Sequence, residues 1–176
     1  RGGASALYGA DAMGGVVNII TRKAQQHTKR LTARTEYGTH RTFNPDVQAE
    51  FSNDRWGLNL GAKFYHTDGF DLIDSTPHTN GIDEIDRTNL DAKLRYRLNN
   101  KWSATGSTRL MFERKKWIES EVWPGNLLFV YDDKEENNRY DGSLVFDYLS
   151  GDKYSMKFRF YGTYYDHEWN KYERET

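Results

Sequence analysis

The chain has no cysteine, which removes disulfides, thiolate metal centres and cysteine nucleophiles from consideration. Proline is scarce, with three in all. Long hydrophobic runs are missing too: the longest, Leu127 to Tyr131, falls far short of the about 20 apolar residues that a membrane helix needs. Helical membrane proteins are therefore excluded. Neither sign of charge dominates, since 25 Lys and Arg stand against 26 Asp and Glu for a net charge of -1, so there is no basic excess to hold nucleic acid. An initiator Met and a signal peptide are also lacking. The chain opens on Arg1-Gly2-Gly3, and the expectation is that residue 1 is an internal position of a longer protein.

What is present is an uncommon mixture. With 12 Tyr, 9 Phe and 5 Trp the chain is 15% aromatic and 29% charged, at a mean hydropathy of -0.93. A sequence both very polar and very aromatic suits a β-wall that is polar on one side and faces lipid on the other.

Alternation along the chain tests that idea. A Lys or Arg facing lipid at the membrane midplane costs roughly 2–4 kcal/mol, so every second residue of each strand must be uncharged. Seven segments meet the condition: Leu31 to Tyr37, Val47 to Phe51, Trp56 to Phe64, Leu90 to Leu98, Trp102 to Phe112, Tyr140 to Tyr148 and Tyr154 to Tyr164, each read at every second residue. The fourth is sharpest, with Leu90, Ala92, Leu94, Tyr96 and Leu98 set against Asp91, Lys93, Arg95 and Arg97.

A soluble sandwich alternates as well, so the connections decide between the two. Short turns follow the second, fourth and sixth segments: Asn53-Asp54-Arg55, Asn99-Asn100-Lys101 and Ser150-Gly151-Asp152-Lys153. Long polar stretches follow the third and fifth, around Thr67 to Thr88 and Arg114 to Arg139, and Asp166 to Thr176 is expected to begin another. Alternating short and long connections, with Trp56, Trp102, Tyr140 and Tyr154 near strand ends as an aromatic girdle, predict an all-β, antiparallel transmembrane barrel whose long loops are extracellular.

The first twenty-two residues read differently. Gly2-Gly3 permits a turn, Ala4 to Tyr8 is compatible with a short helix, Gly9 stops it, and Gly14-Gly15 permits a second turn. Val16-Val17-Asn18-Ile19-Ile20-Thr21 then reads as a strand buried on both faces. The whole string, Arg1-Gly2-x-x-Ser5-x-Leu7-Tyr8-Gly9-x-x-Ala12-x-Gly14-Gly15 and that strand, closely resembles the end of the plug domain of TonB-dependent outer-membrane receptors, departing at Gly3 where Pro is common. The family imports siderophores, haem and vitamin B12.

The resemblance implies that residues 1–25 end a mixed α/β plug and that residues 26–176 begin a barrel of about 22 strands, about seven of them present here. It further implies capture of a scarce nutrient (an iron-siderophore, haem or cobalamin) by loops and plug. A TonB energy-transducing partner would act through a segment upstream of Arg1. The setting would be the lipid bilayer of a Gram-negative outer membrane.

Catalytic chemistry finds little support. His27, His40, His66, His78 and His167 lack metal-ligand spacing, and no base is suggested beside Ser5 or Ser107, so the chain is not expected to be an enzyme. Inward Arg30, Arg34, Arg95, Arg97 and Arg159 with Glu36, Glu50, Asp91 and Asp147 are expected to form a polar network between wall and plug.

Two loop features are candidates for binding. The aromatic stretch holding Trp117, Trp123, Phe129 and Tyr131 could grip a planar or catecholate ligand, with packing of the loop as the plain alternative. Asp68, Asp71, Asp74, Asp83 and Asp86 could hold calcium, the only cofactor suggested, against the plain alternative of a solvated acidic loop. Tyr65-His66-Thr67-Asp68-Gly69-Phe70-Asp71 also resembles the same strand end in vitamin B12 receptors. The rival to a transporter is a passive barrel or adhesin with binding loops, which has no need of the plug-like segment. An outer-membrane hydrolase would need a nucleophile and base that are not evident.

Overall fold

The computed structural model describes residues 27–70, 83–125, 127–150 and 154–174. They form one seven-stranded antiparallel sheet in simple sequential order, with no helix among them. The strands are β1 (Lys29–Arg34), β2 (Asp46–Ser52), β3 (Trp56–Thr67), β4 (Glu84–Arg97), β5 (Trp102–Trp123), β6 (Leu127–Ser150) and β7 (Tyr154–Glu173). The plug-like segment expected over residues 1–25 lies outside the described residues, as does the turn through residues 151–153.

Register keeps the two faces chemically distinct across the sheet. Residues directly opposite in an antiparallel ladder share a face. One uncharged row runs Leu31, Ala49, Leu60, Ala92, Thr108, Gly142, Gly162, and the next runs Leu58, Leu94, Gly106, Leu144, Phe160. On the opposite face Arg30 meets Glu50, Asp91 meets Arg109, and Asp147 meets Lys157 with 3.3 Å between charges. The alternation therefore describes one continuous pair of faces.

The sheet carries almost no core of its own. Val130 is the sole buried hydrophobic residue among those described, while Leu94 is 50% exposed and Phe160 61%. Aromatic rings line both margins of the apolar face. Trp102 lies against Tyr148 with ring centroids 4.8 Å apart at one margin. At the other, Tyr140 touches Phe112 at 5.7 Å and Tyr164 at 5.9 Å.

Two short turns share one device. The Asn53 carboxamide oxygen accepts the backbone N–H groups of Arg55 and Trp56 at 2.8 and 2.9 Å, and Asn99 accepts those of Lys101 and Trp102, both at 2.9 Å. An Asn side chain thus closes each connection and starts the next strand on a Trp.

The structure corrects the expected loops. Arg114 to Arg139 is no long irregular connection: β5 and β6 stay paired out to Trp123 and Leu127. Pro124 and Gly125 turn the chain, with Gly125 at φ 96°, the left-handed position that a type II turn demands after proline. Asp166 likewise continues β7, which runs to Glu173, and β4 begins already at Glu84. The first strand is shorter than its alternation suggested. It ends at Arg34, and Tyr37 makes only an isolated bridge to Phe43.

Candidate functional site

Strands β5, β6 and β7 run past the apolar face by roughly ten residues, or about 33 Å at 3.3 Å per residue. Beyond Phe112 both sides carry charge. The side continuous with the polar face gathers the ring-bearing residues: Trp117, Trp123, Phe129 and Tyr131, the four named from sequence, all lie on it. They sit on paired strands instead of a loop.

Nearest the apolar band, Asn137 is the buried hub of a polar network. It is 4% exposed. Its carboxamide N–H groups donate to Glu113 Oε1 at 3.1 Å and Glu135 Oε1 at 2.8 Å, while its oxygen accepts from Tyr165 and lies 2.8 Å from His167 Nδ1. Arg87 pairs with Glu113 from β4. Lys115 lies 3.4 Å from Glu113 and 3.3 Å from Glu135. Burial pushes the Lys115 ammonium down, but the two carboxylates outweigh it and hold its pKa above the usual value. Glu135 is held below the carboxylate range, first by the Asn137 hydrogen bond and then by Lys115. Every strand from β4 to β7 is tied into this layer, which therefore fixes the hairpin's direction.

Farther out the site becomes aromatic. Trp117 stacks on Trp169 at 6.5 Å, and between them on β6 lies Asp133, 2% exposed, whose Oδ1 accepts the Trp169 indole N–H at 2.9 Å. Asp133 Oδ2 is buried and has no hydrogen-bond partner among the described residues. Lys171 reaches Glu119 at 3.1 Å and Glu121 at 2.9 Å while its ammonium sits 4.2 Å above the Tyr131 ring. At the tip Trp123 packs against Phe129 at 5.3 Å.

Of these residues, Asp133, Asn137, Tyr165, Trp169 and Lys171 escaped the sequence reading, and His167 was considered there only as a metal ligand. A signal was there: Tyr165, His167, Trp169 and Lys171 keep period two beyond Tyr164, the spacing of one face of a strand.

The carboxylates considered for calcium divide. Asp71 and Asp74 lie outside the described residues. Asp68 and Asp86 are brought together by His66, whose Nδ1 lies 2.7 Å from Asp86 and Nε2 3.1 Å from Asp68, and Arg41 pairs with Asp68 from the β1–β2 connection. A histidine and an arginine occupy these oxygens. Asp83 stands apart just before β4, where burial raises its pKa against the pull of Lys115. Among the described residues no three His, Asp or Glu side chains converge as a metal site would require.

No family model matches the chain, and no solved structure matches it.

Proposed function

We propose that this chain is part of a TonB-dependent outer-membrane receptor, in which the sheet forms the opening third of the barrel and residues 1–25 end the plug. The observation that carries this reading is the uncovered apolar face, kept in register over seven strands and edged by aromatic rings at both margins. A soluble sheet needs a second layer on such a face; lipid serves a barrel wall directly. On β5 the face spans Trp102 to Phe112, eleven residues, as a tilted transmembrane strand requires.

The polar face supports the same reading. Arg30, Arg34, Glu50, Lys63 and Asp91 help line a hollow of about 610 Å³ there. In a barrel this hollow faces the lumen, where a plug would meet it with complementary charge. The plug-like string at Arg1 to Thr21 favours an energy-coupled receptor over a passive pore or adhesin. The aromatic hairpin would then stand outside the cell as part of the capture surface, and transport would draw on TonB from the periplasm.

Uptake by cells expressing the full-length protein tests the reading. A panel of ferric siderophores, haem and cobalamin should include one nutrient whose accumulation needs this protein and stops when TonB is deleted. Accumulation that persists without TonB would make the protein a passive barrel.

A further inference from the structure

Resting on the receptor reading, we propose that Asp133, flanked by Trp117 and Trp169, anchors an organic cation, an ammonium or guanidinium group carried by the captured ligand. Buried carboxylates are ordinarily paired with a cation. Asp133 is 2% exposed, its Oδ1 takes only a neutral indole N–H, and its Oδ2 has no donor among the described residues.

The obvious internal partner is engaged elsewhere. Lys171 lies directly opposite Asp133 across β6 and β7, yet its ammonium is held by Glu119 and Glu121 and by the Tyr131 ring. The carboxylate thus has a lysine as its ladder neighbour and no ion pair with it.

The walls select the kind of cation. Indole faces attract weakly hydrated organic cations through their quadrupole, and Trp117 and Trp169 lie nearly parallel, 24° apart, on either side of Asp133. A metal ion would need converging His, Asp or Glu ligands, which the described residues do not offer. On this face Glu113, Glu119, Glu121, Asp133 and Glu135 outnumber Arg87, Lys115 and Lys171, and the negative balance disfavours an anion, so the ligand expectation moves from a catecholate to a cation-bearing molecule.

Calorimetry on the purified full-length protein in detergent tests this with methylguanidinium, a flat cation with N–H donors, as the probe and N-methylurea as its uncharged counterpart. Methylguanidinium should bind saturably and the urea should bind at least tenfold more weakly. Asp133→Asn should weaken methylguanidinium binding by about tenfold or more, the effect of losing one charge-assisted contact. Should that variant fail to assemble, shown by loss of heat-modifiable migration, Trp117→Leu replaces it and should weaken binding roughly fivefold. Equal binding of methylguanidinium and the urea, no methylguanidinium binding, or unchanged affinity in the assembled variants would overturn the cation site. Binding is read without TonB, so its failure in a receptor that still imports a nutrient sinks this site alone, and a failure of transport leaves the site standing.

Discussion

His66 and Asp86 face each other directly across β3 and β4, with 2.7 Å between ring nitrogen and carboxylate oxygen. The pair lies outside the apolar band, beyond Phe64. The Asp86 hydrogen bond raises the His66 pKa above 6.5 despite burial, and Asp68 adds to it. A raised folded-state pKa means that the stabilisation is fully present below pH 6.5 and is lost as pH rises through the folded value. Asp68 acts at the other end. Burial pushes its pKa up, but Arg41 and His66 outweigh this and hold it below 3.8, so its contribution is present above that value and fades as pH falls through the lowered one. Amide exchange at the His66 end of β3 should therefore quicken as pH rises past the His66 transition, after correction for intrinsic chemistry, and His66→Gln should abolish the step. A corrected profile without a step would contradict the bridge.

Leu94 is on the apolar face and Arg95 on the polar one. Leu94→Arg should lower barrel stability by roughly 2–4 kcal/mol and deplete the protein from the membrane fraction, whereas Arg95→Leu should assemble nearly as wild type. Equal assembly of the two would remove the proposed register, since a slip of one residue exchanges the faces.

Asn99 accepts two backbone N–H groups at the start of β5. Asn99→Ala should cost about 1 kcal/mol, and Asn99→Asp, which keeps the acceptor, should cost little. Urea midpoints in micelles separate them; matched losses in both variants would assign the effect to something other than the turn.

Trp117 stacks on Trp169 beside Asp133, while Trp123 contacts Phe129 at the tip. Replacing both by Ala should weaken whole-cell capture of the transported nutrient by about 1–3 kcal/mol with barrel assembly intact. Unchanged affinity would reduce these rings to packing within the hairpin.

The seven strands and their faces were legible because an apolar face and a charged face place opposite demands on neighbouring residues, as Leu94 and Arg95 show. Past Phe112 that contrast disappears. Glu113, Arg114, Lys115 and Lys116 carry charge on both sides, so a test built on one uncharged face stops reading strand where pairing continues. The turn itself was written in Pro124-Gly125, a pair that punctuates hairpins. The four aromatic candidates were found by composition, but their partners came from other strands: Trp169 reaches Trp117 across Asp133, a relation that only the β5–β6–β7 register creates.

Sidedness across the outer membrane tests the central claim most directly. Val122, 70% exposed at the hairpin tip, and Asn100, in a short turn at the opposite end of β5, would lie on opposite sides of the bilayer. In the full-length protein, Val122→Cys should react with an impermeant thiol reagent on intact cells, and Asn100→Cys only after the outer membrane is permeabilised. Labelling of Asn100→Cys on intact cells, with Val122→Cys protected until permeabilisation, would contradict the account.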